Sequence, residues 1–177
     1  MSKRNLDIAD AEKQPDYVGW RGELLAELAL SRLPGLIVSR RPDRPDSGIG
    51  FDLLAATDGG FCFFVAVRAF SSATGRVKGH RRRDVWTWTL KPAEVRRARE
   101  SRSPFLLFLF DADTDEGRFL RIDSLPEPDP ETDRVRLDFP EQNTIDGKSL
   151  EGWIRTTQAG KARRPSPGEI PGLDRHR

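Results

Sequence analysis

"FDLLAATDGGFCFFVAVRAF", residues 51–70, consists of two apolar runs joined by a short polar turn, the pattern of a β-hairpin. Its second arm, residues 61–70, reads as a core strand with a single charge, Arg68, among Val67, Ala69 and Phe70. A charge taken into a core costs several kcal/mol unless it is paired, so Arg68 needs a partner. Side chains alternate along a strand, which sets Cys62, Phe64, Ala66, Arg68 and Phe70 on one face. Whether Asp52 joins them depends on the turn. A two-residue turn at Asp58-Gly59 puts Asp52 opposite Val65. A three-residue turn at Asp58-Gly59-Gly60, with Gly60 left-handed, pairs it with Ala66, and the double glycine favours that form. Asp52, Ala66 and Arg68 then meet in one patch.

Outward from the hairpin the elements follow by period. Residues 16–33 are helical, with Leu24, Leu25, Leu28 and Leu33 as the expected apolar stripe and Pro34-Gly35 as the stop. Residues 36–40 suit a short strand, and 41–50 form a loop rich in Pro, Gly and Asp. Downstream, "DVWTWTL" (84–90) alternates, with Trp86, Trp88 and Leu90 on one face, read as core rather than as base-stacking platforms. Pro92 opens a short helix. "PFLLFLF" (104–110) is apolar on both faces and marks a strand covered on two sides. Residues 117–123 and 133–139 alternate as half-exposed strands. Asp146 caps a closing helix that buries Leu150, Trp153 and Ile154. The expected fold is a single α/β domain, a mixed sheet flanked by helices. Its span is 16–157, between a flexible segment 1–15 and a disordered basic tail 158–177.

Composition narrows the function classes. The 177 residues fit one domain, and 36% hydrophobic against 33% charged residues supply a single sheet-based core. Thirty Lys and Arg against 28 Asp and Glu leave a net charge of +2, so only local clustering argues for a polyanion partner. The one cysteine, Cys62, excludes an internal disulfide and suits a reducing, cytoplasmic setting. No apolar run approaches the roughly 18 residues of a membrane span. Two histidines, His80 and His176, do not make a zinc cluster or a His-based triad. "GIG" (48–50) precedes a strand rather than a helix and fails the dinucleotide pattern.

The stretches "GWRGELLAELAL" (19–30), "GFDLL" (50–54), "FVAVRAF" (64–70), "SPFLLFLFD" (103–111) and "FPEQNTIDGKSLEGWI" (139–154) together resemble the PD-(D/E)XK, or restriction-endonuclease-like, superfamily. More narrowly they resemble the bacterial DUF4365 family of domains, over about Val18 to Ile154. The resemblance implies a divalent-metal site in which a helix Glu, a strand Asp and an acidic residue or Gln two before a Lys activate water. Glu23 then matches the helix Glu and Asp52 the strand Asp. Two positions depart from the pattern: Ala66 stands where the third polar residue belongs, and Arg68 where the Lys belongs.

Ala66 offers no oxygen, and an arginine effectively never gives up its proton to serve as a base. The resemblance therefore implies a nuclease fold with impaired catalysis, with no cofactor or weakly bound Mg2+ at Glu23 and Asp52. Arg68 is read as a fixed cation paired with Asp52 in the metal's place. A basic run at Arg76, Lys78, Arg81, Arg82 and Arg83 is the candidate nucleic-acid contact, DNA or RNA. Three readings stay open. One is a degraded nuclease that binds nucleic acid or a protein partner, in bacterial defence or on a mobile element. Another is an active metal-dependent nuclease that also recruits Asp43 or Asp46. The last is a protein-interaction module. Oligomeric state is not readable from the sequence.

Overall fold

The computed structural model describes residues 16–41, 50–72 and 86–162. At its centre β2 (Leu53–Thr57) and β3 (Cys62–Phe70) form the hairpin, with Leu53 opposite Val65 and Ala56 opposite Cys62. The turn is the three-residue form: Thr57 N–H donates to Phe61 O at 2.8 Å, and Gly60 has φ +76°. A side chain at that dihedral would crowd the following carbonyl; glycine has none.

Around the hairpin the sheet is completed in the order β1-β2-β3-β5-β6. β1 (Leu36–Arg40) pairs antiparallel with β2, β5 (Phe105–Asp111) runs parallel to β3, and β6 (Gly117–Arg121) returns antiparallel to β5. A parallel pair needs a long crossover. Here it carries β4 (Trp86–Leu90) and α2 (Pro92–Glu100).

The alternation of β3 sorts the core into two layers. Phe63, Val65, Val67 and Ala69 face α1 (Asp16–Ser31) and α3 (Gly147–Ala162). Ala66 and Phe70 face the opposite side, where α2 and a two-stranded ribbon of β4 with β7 (Val135–Phe139) bring Val95, Trp88, Leu90, Leu137 and Phe139. β5 is buried at every position because both layers cover it. The α/β mixed sheet with flanking helices expected from the sequence is the architecture observed.

Two expectations are corrected, and one strand that the sequence left unplaced finds its partner. The buried side of α1 is Val18, Gly22, Ala26 and Leu30, with Leu25 half-buried and Leu33 buried just past the helix end, whereas Leu24 and Leu28 are exposed. The physical reason is close approach at mid-helix: a Cβ on Gly22 would stand 2.7 Å from the Ala69 Cβ, so the small Gly22 and Ala26 face the strand there, and Leu24 and Leu28 fall on the outer side. β7 leaves the main sheet to pair with β4, because its apolar face, Leu137 and Phe139, caps the second layer. Finally, α3 continues to Ala162, past the expected end at 157, with Gln158 Nε2 donating to Thr57 Oγ1 at 3.0 Å. Segments 1–15, 42–49, 73–85 and 163–177 lie outside the described residues. No helix among the described residues is long and apolar enough to cross a membrane.

Candidate functional site

The end of the hairpin bends two side chains toward each other. One step beyond the Leu53–Val65 pair, Asp52 donates its N–H to Val65 O at 2.8 Å, and its carboxylate Oδ2 accepts the Val67 N–H at 2.6 Å. Main chain and side chain of Asp52 thus bracket Ala66. Two positions along, Arg68 folds its guanidinium back: Nη1 donates to Val67 O at 2.8 Å and stands 3.8 Å from Asp52 Oδ2.

The shorter ion pair comes from α2. Arg68 Nη2 donates to Glu94 Oε1 at 2.8 Å. Glu94 sits in the first turn of α2, opened by Pro92, and its other oxygen accepts the Lys91 N–H at 2.8 Å. One carboxylate therefore satisfies an orphan donor of the helix start and neutralises the charge on β3. Arg41 adds a further cation beside Asp52. Its N–H donates to Asp52 O at 3.0 Å, and its guanidinium lies 5.3 Å from the Phe51 ring centroid.

Burial pushes the Asp52 carboxyl above the usual carboxylate range, opposed by the Val67 amide and by the charges of Arg68 and Arg41. Beneath the Arg68–Glu94 pair lies a narrow cleft with room for about one water. The apolar Ala66, Leu107 and Ile122 and the charged Arg68, Glu94 and Arg97 are among the residues that line it. Position 66 lines this cleft, and the alanine methyl brings no oxygen to it.

Chemically this is an ion-pair cluster. Asp52 Oδ2 and both Glu94 oxygens already accept hydrogen bonds, and the Arg68 guanidinium stands between the two carboxylates. Magnesium asks for oxygen ligands in near-octahedral array, and this donor set is a poor fit to it. Among the described residues no three His, Cys, Asp or Glu side chains are grouped as a metal site.

Of the residues singled out from the sequence, Asp52 and Arg68 come together. Glu23 is half-buried on α1, next to the glycine that packs on Ala69, and so comes from the layer opposite the one Arg68 faces. Arg76, Lys78, Arg81, Arg82 and Arg83 lie outside the described residues, as do Asp43 and Asp46. Glu94 and Arg41 were not anticipated. For Glu94 a signal existed: a glutamate two after Pro92 stands where a helix-start carboxylate reaches back. Trp88 is buried and Trp86 is half-buried, packed edge-on against Phe70 at 5.1 Å, in keeping with a core role.

No protein-family model matches the chain, and no curated protein matches it. Among solved structures the chain is similar to that of a bacterial homing endonuclease, at 14% sequence identity. The match covers 84% of this chain and 95% of that one, with a TM-score of 0.46.

Proposed function

We propose that this chain is a restriction-endonuclease-like domain of PD-(D/E)XK type that has lost catalysis and binds nucleic acid. The observation that carries the reading is Arg68. It occupies the position where such a site needs a lysine, it is held at 2.8 Å by Glu94, and it faces Asp52 at 3.8 Å. A group that cannot deprotonate does not activate water. The methyl of Ala66 contributes neither a ligand nor a proton acceptor. Of such a site the strand Asp and the cation two after Ala66 still meet, and a salt bridge to Glu94 stands where its chemistry would be. Nucleic-acid binding then falls to the basic run at Arg76, Lys78, Arg81, Arg82 and Arg83, which follows directly on the site strand in sequence.

The test is a binding titration with a cleavage readout in the same tubes. Labelled duplex DNA, single-stranded DNA and RNA are titrated with the protein at stepped salt concentrations, in the presence of Mg2+ or Mn2+. The proposal expects affinity that falls steeply with salt and nucleic acid that stays intact. Metal-dependent cleavage abolished by Asp52→Asn would establish an active nuclease instead. Intact nucleic acid with no affinity at any salt would leave the protein-interaction reading.

A further inference from the structure

The outer ridge of α1 carries Tyr17, Trp20, Leu24 and Leu28, exposed at 57%, 61%, 41% and 47%. Spacings of three, four and four align them as one stripe along the helix, on the side away from Gly22 and Ala26. The charged neighbours that would otherwise screen the ridge are drawn off it. Arg21 is held by Asp115 at 2.8 Å on one flank, and Glu27 by Arg40 at 2.6 Å on the other. What remains uncovered is roughly 400 Å² of contiguous apolar side chain, within the range of the largest patch on a typical monomer. The remaining large exposed apolar side chain among the described residues, Ile37, alternates to the other face of β1 and is no part of it.

We infer that this ridge is a homodimer interface, covered by α1 of a second copy in antiparallel orientation. The distribution of bulk argues for that occupant. Both aromatics lie in the first half of the stripe and both leucines in the second. A two-fold axis crossing the helix near residues 22 and 23 therefore sets Tyr17 against Leu28 of the mate and Trp20 against its Leu24. Large packs on small at every level, and the same patch serves both copies, as an isologous interface requires. A parallel mate would stack aromatic on aromatic at one end and leave a gap at the other. Two such ridges closed on each other remove roughly 800 Å² of apolar surface. The flanking residues bring the total to the scale of about 1,000 Å² at which specific interfaces begin.

Sedimentation of the full-length chain across a concentration series tests the inference. The wild type is expected to sediment as a dimer at about 10–100 µM, the range in which a modest interface holds. Trp20→Glu and, separately, Leu28→Glu should shift that equilibrium to monomer by at least tenfold in Kd. Both positions are exposed, so circular dichroism should stay at wild-type values, as should the melting temperature at concentrations low enough for the wild type to be monomeric. A wild type that is monomeric throughout the series overturns the inference. So does a dimer that persists unchanged in both variants, which would place the contact elsewhere. A parallel rather than antiparallel mate is excluded by mixing Tyr17→Cys with Leu28→Cys, each on a Cys62→Ser background. The mixed pair should cross-link through a short bis-maleimide more readily than either variant alone.

Discussion

At the scale of single residues, the cluster around Arg68 sets the chemistry. Charge-assisted bonds of this geometry contribute about 1.5–3 kcal/mol when half-buried. Arg68→Ala should therefore destabilise the fold by about 2 kcal/mol, and a double-mutant cycle with Glu94→Ala should return a coupling of about 1–2 kcal/mol by urea unfolding. Zero coupling would mean that the 2.8 Å pair is ornamental. The raised pKa of Asp52 makes a second prediction. Because the folded state holds this proton more tightly than the unfolded chain, the associated stability is present below the unfolded value of 3.8 and lost as pH rises through the folded one. The stability difference between wild type and Asp52→Asn should accordingly favour the wild type most at acid pH and decline toward neutrality. A difference that does not change between about pH 4 and 7 contradicts it. The meeting of Asp52 with Arg68 was legible in sequence because two glycines fix the turn and the turn fixes the register. The role of Glu94 was not, since where α2 crosses the sheet depends on the packing of the whole second layer.

At the scale of elements, two glycines bear on where the site residues stand. Gly60→Ala places a side chain at φ +76° and should cost about 1–2 kcal/mol. In Gly22→Ala, the gain in helix propensity of about 1 kcal/mol opposes a Cβ placed 2.7 Å from Ala69. Overpacking of about 1–3 kcal/mol should win, lowering the melting temperature by several degrees. At the start of α3, Asp146 Oδ1 accepts the Ser149 N–H at 2.7 Å. Hydrogen bonds, foremost from Thr144, hold its pKa below the usual range. Asp146→Ala should cost about 1 kcal/mol, an effect that fades as pH falls below that of an ordinary carboxylate. Strands and caps were readable from local pattern, but the face of α1 was not. Counting leucines selected Leu24 and Leu28, whereas close approach to β3 selected Gly22 and Ala26, a preference that exists only once helix and strand are packed.

At the scale of the molecule, one sheet is clad by two helices on one face and by α2 with the β4–β7 ribbon on the other, and the cluster forms where the second layer meets the open end of the hairpin. The layers follow from the twofold apolarity of residues 104–110. The departure of β7 to pair with β4 does not, because an alternating strand suits the edge of either sheet. If the basic run carries the nucleic-acid contact, replacing Arg81, Arg82 and Arg83 by alanine should reduce the salt slope of DNA binding by about 2 to 3, with no change in fold. The most direct measurement is calorimetric titration of Mg2+ and Mn2+ into the wild type and into the double variant Ala66→Glu, Arg68→Lys. The account predicts no binding heat from the wild type. It predicts measurable binding from the folded double variant, in which a carboxylate enters the cleft and the fixed guanidinium is gone. Wild-type binding that Asp52→Asn abolishes, or a folded double variant that binds no metal, would contradict it.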